Sequence, residues 1–132
     1  MPNLHIYMLA GTPEATRRAI LRRVTETVSR SLSAPRQNVR IFLFELAARD
    51  IAVGGEALDT MGRQARDFAG PTVHVYLIAG RSDAQKARLI EQLGRDLAEE
   101  LGIDCEPIRI MIIDIPNTDF GLGTMTAAAA GR

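Results

Sequence analysis

The chain has 132 residues, 16 acidic and 16 basic, and a formal net charge of zero. That length suits one domain with its own core, and the balanced charge gives no global field to hold nucleic acid or an anionic membrane surface, so neither is an expected partner. A single cysteine, Cys105, excludes an internal disulfide and points to the cytoplasm, the apolar runs are too short for a bilayer, and the first residues, MPNLHIYML, lack a signal-peptide pattern.

Residues 3–9 alternate Leu4, Ile6 and Met8 with His5 and Tyr7, the period of a half-buried strand. Gly11 ends it. Thr12 then reads as an N-cap, Pro13 as the first helical residue, and Glu14 suits the positive helix end. Ile20, Val24, Val28 and Leu32 recur at helical spacing, and a second apolar strand follows at Val39–Leu46. Residues 56–70 carry no recognisable chemistry. From Pro71 the pattern restarts: a strand, a capping box at Ser82 and Gln85, a stripe of Leu89, Leu93, Leu97 and Leu101, a helix stop at Gly102, and a strand at Ile108–Ile115. The last residues, TMTAAAAGR, are low in complexity and read as a mobile tail.

The restart is a duplication. PNLHIYMLAG at 2–11 and PTVHVYLIAG at 71–80 share Pro, His, Tyr, Ala and Gly at a spacing of 69 positions. The same spacing links Leu32 to Leu101, Arg40 to Arg109, Ile41 to Ile110, Asp50 to Asp119 and Gly54 to Gly123. One offset held across three elements is a repeat, not coincidence. Each unit reads as strand, helix, strand, with a crossover long enough for parallel strands. One such unit cannot close a core. Two related by a pseudo-two-fold axis predict an α+β fold: two tandem β-α-β repeats forming a four-stranded sheet with two helices on one face. The expected layout is one unit over 2–55, a linker over 56–70, a second unit over 71–124 and a tail over 125–132. The face away from the helices would carry His5, Tyr7, His74 and Tyr76 beside Phe42 and Phe44, too apolar for water, which predicts oligomerisation.

Pro2 is the leading candidate for chemistry. Methionine is normally removed before a small residue, and removal would expose a secondary amine. An unperturbed α-amine titrates at about 7.7–8.0. An apolar pocket or a nearby cation would lower that and make a good base for a proton next to a carbonyl. Pro71 is internal, so its nitrogen is an amide. His5 and His74 recur in both halves and read as packing. Cys105 has no partner for catalysis, and no cluster has metal-ligand spacing, so neither a metal nor a cofactor is expected.

Pro2, the alternating strand, its Gly, the helix and a second strand with Arg resemble 4-oxalocrotonate tautomerase of the tautomerase superfamily, in its fused two-repeat form. IYMLAGTPEATRRAI, VYLIAGRSDAQKARLI and Gly54-Gly55 carry the resemblance, which covers nearly the whole chain twice. It implies keto-enol proton transfer on enols of 2-oxo acids, with the amino-terminal proline as general base, arginines on the substrate carboxylates, and a homotrimer. The family's Arg after the first-strand Gly is Thr12 in the first half and Arg81 in the second. Its Phe before the terminal turn is Ile51 in the first and Phe120 in the second. The second-strand Arg stands in both, as Arg40 and Arg109. The resemblance therefore implies one site per chain. Pro2 shuttles the proton, Arg81 binds a carboxylate and polarises the 2-oxygen, Arg109 of a neighbouring copy binds the distal group, and Phe120, Ile78 and Leu122 form the apolar wall.

Rival readings remain open. A dehalogenase or hydratase on this scaffold would place an arginine where Ile78 stands and a water-activating carboxylate where Leu122 stands, which weakens water addition. A decarboxylase could use the same Pro2 and an arginine. A non-catalytic, ferredoxin-like binding module would also be built from two such units, but gives no reason for Pro2 or for the split of Arg81 and Phe120.

Overall fold

A computed structural model describes residues 1–132, the side chain of Arg66 excepted. In chain order the strands and helices are β1 (Asn3–Leu9), α1 (Glu14–Leu32), β2 (Arg40–Leu46), β3 (Ala52–Val53), β4 (Glu56–Ala57), α2 (Ala65–Phe68), β5 (Thr72–Ile78), α3 (Asp83–Leu101), β6 (Arg109–Ile115), β7 (Gly121–Leu122) and β8 (Met125–Thr126). The main sheet has the order β2-β1-β5-β6. β1 runs parallel to β2, β5 parallel to β6, and β1 antiparallel to β5, with His5 opposite His74. That central pair marks the pseudo-two-fold axis.

Period-2 alternation sorts the sheet into two faces. Leu4, Ile6, Met8, Val73, Val75 and Leu77 are buried and pack with Ile20, Val24, Val28 and Leu32 of α1 and Leu89, Leu93 and Leu97 of α3 in one cluster. Truncating a fully buried Leu of this kind costs about 2–5 kcal/mol, whereas a helix cap contributes about 1, so packing decides the fold. The opposite face carries an aromatic array: Tyr7 stacks on Phe44 at 4.9 Å between centroids, and His5 meets Tyr76 edge-on at 5.1 Å. Phe42, Phe44 and Met111 on that face are 47%, 40% and 44% exposed.

The repeat extends to individual hydrogen bonds. The Ala10 amide donates to the Leu46 carbonyl and the Ala79 amide to Ile115, both at 2.8 Å. The Arg40 amide donates to Pro2 at 3.0 Å and the Arg109 amide to Pro71 at 3.1 Å. Helix-to-strand ion pairs recur as well, Arg17 with Glu45 and Lys86 with Asp114. The β3–β4 and β7–β8 hairpins are counterparts, closed by Leu58 donating to Ile51 at 2.9 Å and Ala127 to Phe120 at 2.8 Å. The first unit thus runs past residue 55, and the segment expected as a linker begins with the end of its hairpin.

Two local expectations differ. Thr12 does not cap α1: its Oγ1 donates to the Leu9 carbonyl at 3.2 Å, Pro13 takes the N-cap position and the helix begins at Glu14. The helix starts one residue later than a Thr12 cap would require, and the hydroxyl turns back to the strand it leaves. In α3, by contrast, both arms of the Ser82–Gln85 capping box are made. The segment expected as a mobile tail instead folds back. Ala127 is fully buried, and the amide of Arg132 donates to Ala127 at 2.8 Å. Among the described residues no helix is long and apolar enough to cross a membrane.

Candidate active site at the Pro2 end of the sheet

Strand direction decides what can meet Pro2. Asn3 pairs with Tyr76, and Ile78 pairs with Ile115. The start of β1, the ends of β5 and β6 and the loops that follow them therefore share one end of the sheet. Pro2, Ile78, Arg81, Phe120 and Leu122 all lie there. Pro2 is buried, and Ile78, Phe120 and Leu122 are half-buried. Arg81 follows the Gly80 turn, and its guanidinium donates to the carbonyl of Leu32, the last residue of α1. A cation suits a helix C-terminus, where unpaired carbonyls carry partial negative charge. That contact anchors Arg81, in place of the solvated position a first-turn arginine would otherwise take.

The amine at this end is strongly perturbed. The Met1 amino group, one residue before Pro2, falls from the ordinary 8.0 to about 6. Burial is the largest cause, followed by the charges of Arg132 and Arg81. Both effects disfavour the ammonium form and favour a free base. The charge of Arg132 reaches this amine although the residue stands at the end of a segment that reads as featureless in the sequence.

Arg109 is not brought to Pro2 within one chain. It begins β6 beside Thr72, at the far end of a seven-residue strand, roughly 20 Å away at an ordinary strand rise. Its guanidinium donates to the carbonyls of Glu106 at 2.6 Å and Ile108 at 3.1 Å. Arg40 is next to Pro2 through the backbone, but by strand alternation it shares the open face with Phe42 and Phe44, away from the buried Pro2 ring.

The Pro71 end is the opposite in character. Thr12 stands there where Arg81 stands at the Pro2 end, and a cleft of about 890 Å³ opens, lined by Thr12, Pro71, Asp67, Glu100 and Asp104 among others. Asp67, Glu100 and Asp104 line this cleft, whereas Arg132 and Arg81 are the charges that act on the amine at the Pro2 end. His5 and His74 lie outside both, on the aromatic face near the two-fold axis. Among the described residues no group of three His, Cys, Asp or Glu side chains could hold a metal ion.

Comparison with known proteins adds matches to two family models, both described as tautomerase enzyme, one over residues 2–61 and the other over residues 58–123. A 2-hydroxymuconate tautomerase of Pseudomonas sp. (strain CF600) is 36% identical over 62 residues, which cover 47% of this chain and 98% of that protein. Two solved structures match end to end. One is described as an F6 fused 4-OT wild type asymmetric trimer, 38% identical, with a TM-score of 0.89 over 98% of this chain and 99% of that one. The other is described as native fused 4-OT, also 38% identical, with a TM-score of 0.90 over the same shares.

Proposed function

Because this chain belongs to the tautomerase family as a fused, two-unit member, and is an isomerase of that kind, we propose that Pro2, freed of Met1, is its single general base. The observation that carries this reading is the amine environment: burial, with Arg132 and Arg81 close enough to hold the preceding α-amine at about 6. A base that is free at neutral pH can take the hydroxyl proton of an enol. The C=O bond then forms, electron density moves along the conjugated chain, and the ammonium returns the proton to carbon. No atom is gained or lost, and no cofactor is required.

The substrate class is a 2-hydroxydienoate or another enol of a 2-oxo acid. Arg81 holds its carboxylate and polarises the 2-oxygen, since a guanidinium presents paired donors and stays charged. Arg109 reaches the site from a second copy, because within its own chain it lies at the other end of the sheet. Phe120, Ile78 and Leu122 keep the site dry, which lowers the amine's pKa so that it is free at neutral pH and strengthens the ion pair. The copies form a homotrimer through the aromatic sheet face. Thr12, Asp67 and Glu100 at the Pro71 end favour one site per chain.

Water addition is a weaker second reading, since Ile78 and Leu122 supply neither a second cation nor a carboxylate for water. Decarboxylation remains compatible with Pro2 and Arg81. The test is kinetic, on protein whose loss of Met1 is verified by mass spectrometry. Pro2→Ala should lose proton-transfer turnover by orders of magnitude, and Pro71→Ala should keep it. Equal losses in two folded variants would defeat the one-site reading.

A further inference from the structure

The folded-back segment after β8 has a consequence for specificity. The loop that leaves β6 at Ile115 turns at the Pro2 end, and the chain returns onto it. The Ala128 amide donates to the Asn117 carbonyl, and the Asn117 side-chain amide donates to the Arg132 carbonyl, both at 3.0 Å. With Ala127 buried and bonded to Phe120 and Arg132, the last turn is clasped from both sides. Its main chain is therefore held at the same end of the sheet as Pro2, Arg81 and Phe120.

The side chain is not consumed by this clasp. Arg17, Arg18, Arg23, Arg36 and Arg95 each pair with carboxylates, and Arg81 and Arg109 donate to main-chain carbonyls. Among the described residues, Arg132 has neither kind of partner for its guanidinium and uses only its backbone. Its charge nonetheless bears on the amine at Pro2's end more strongly than that of Arg81. An exposed, unpaired guanidinium on a clasped backbone, beside a half-buried amine, is free to receive an anion.

We propose that Arg132 is a specificity-determining cation of the Pro2 site, receiving the second carboxylate of a dicarboxylate enol while Arg81 receives the one beside the 2-oxygen. The inference rests on Pro2 being the base. It assigns within one chain a role that Arg109 alone would otherwise supply from a neighbour. The low-complexity segment then has a purpose, because its alanines and Gly131 make a compact turn that leaves one charged side chain at the site.

The test compares wild type, Arg132→Gln and Arg132→Lys on a dicarboxylate 2-hydroxydienoate and on its monocarboxylate counterpart, across pH 5–9, a range that brackets an ordinary amine titration near 8. Arg132→Gln should raise KM for the dicarboxylate about tenfold, equivalent to about 1.4 kcal/mol. The monocarboxylate KM should change by less than about twofold on the same scale. The acid limb of the pH profile should move up, because a cation that disfavours the ammonium is gone. Arg132→Lys should restore most of both effects. An unchanged dicarboxylate-to-monocarboxylate ratio would overturn the proposal, and so would an equal loss on both substrates that Lys does not rescue, which would mark a packing role. Pro2→Ala assayed beside them separates the two readings. Retained turnover there removes the base itself, whereas lost turnover with an unaltered Arg132→Gln ratio removes only Arg132.

Discussion

One residue that differs between the repeats, Arg81 against Thr12, contributes to the asymmetry between the two ends of the sheet. Arg81 and Thr12 are counterparts, yet Arg81 bridges to the Leu32 carbonyl and Thr12 turns back to Leu9. If Arg81 binds the substrate carboxylate, Arg81→Ala removes a charge-assisted contact of about 1.5–3 kcal/mol, roughly one to two decades in kcat/KM, and Thr12→Ala changes little. The acid limb should also rise in Arg81→Ala: the amine's pKa is depressed in part by this cation, so the free base appears only at higher pH once it is lost. Steady-state kinetics of both variants across that limb checks the pair. Ser33 offers a stability test of the same comparison. It caps α1 in the left-handed conformation at φ 52°, where its counterpart in α3 is Gly102 at φ 64°. Ser33→Gly should raise stability by roughly 0.5–1 kcal/mol in urea melts, since only glycine adopts that φ without strain. Arg81 was readable as a candidate because repeat comparison isolates what differs, and Pro2 because its counterpart Pro71 is internal and holds its nitrogen in an amide. Arg132 was not, because its place depends on hydrogen bonds to Asn117 and Ala127 that no spacing rule announces.

The helices show what duplication permits. Thr27 of α1 and Asp96 of α3 are counterparts by the repeat spacing, and they face each other across the helix pair. Thr27 donates to the Asp96 carboxylate, Arg23 reaches its other oxygen at 3.1 Å, and Gln92, the counterpart of Arg23, donates there at 2.8 Å. Asp96 is 1% exposed. Two identical units meeting across this axis would set Thr against Thr or Asp against Asp, and the second would bury two like charges. Fusion lets the positions diverge into a donor and an acceptor. Asp96→Ala leaves Thr27 and Gln92 without their acceptor and should cost about 2–3 kcal/mol in chemical denaturation. Ser82→Ala, which loses one cap, should cost about 1. A smaller loss for Asp96→Ala than for Ser82→Ala would show that the network contributes little. At this scale the sequence was readable wherever periodicity governs: both apolar helix stripes and all four main strands follow it, to within a residue at the strand starts. The hairpins at β3–β4 and β7–β8 are too short to have a period. The Thr27–Asp96 contact joins positions that look like ordinary polar helix residues.

The whole molecule is a half-dry object. One sheet face is closed by α1 and α3, and the other exposes Phe42, Phe44 and Met111 over a stacked aromatic array. The trimer proposed above would bury that face and bring Arg109 of one copy toward another's Pro2. Light scattering at micromolar concentration should give three times the 14.4 kDa chain mass, and Phe44→Glu should shift it toward monomer by placing a charge in the interface. A monomeric mass for the unmodified chain would remove both the trimer and the cross-chain role of Arg109. One working amine per chain is the central claim, and titrating the prolines themselves tests it most directly. Protein lacking Met1 and labelled with ¹⁵N-proline carries six prolines. All but Pro2 hold their nitrogen in an amide and must stay silent. Pro2 should be the single titrating nitrogen, with a midpoint well below the ordinary α-amine value of about 7.7–8.0 and coincident with the acid limb of kcat/KM. A Pro2 midpoint at the ordinary value, or an acid limb that does not follow it, would contradict a depressed prolyl amine as the base.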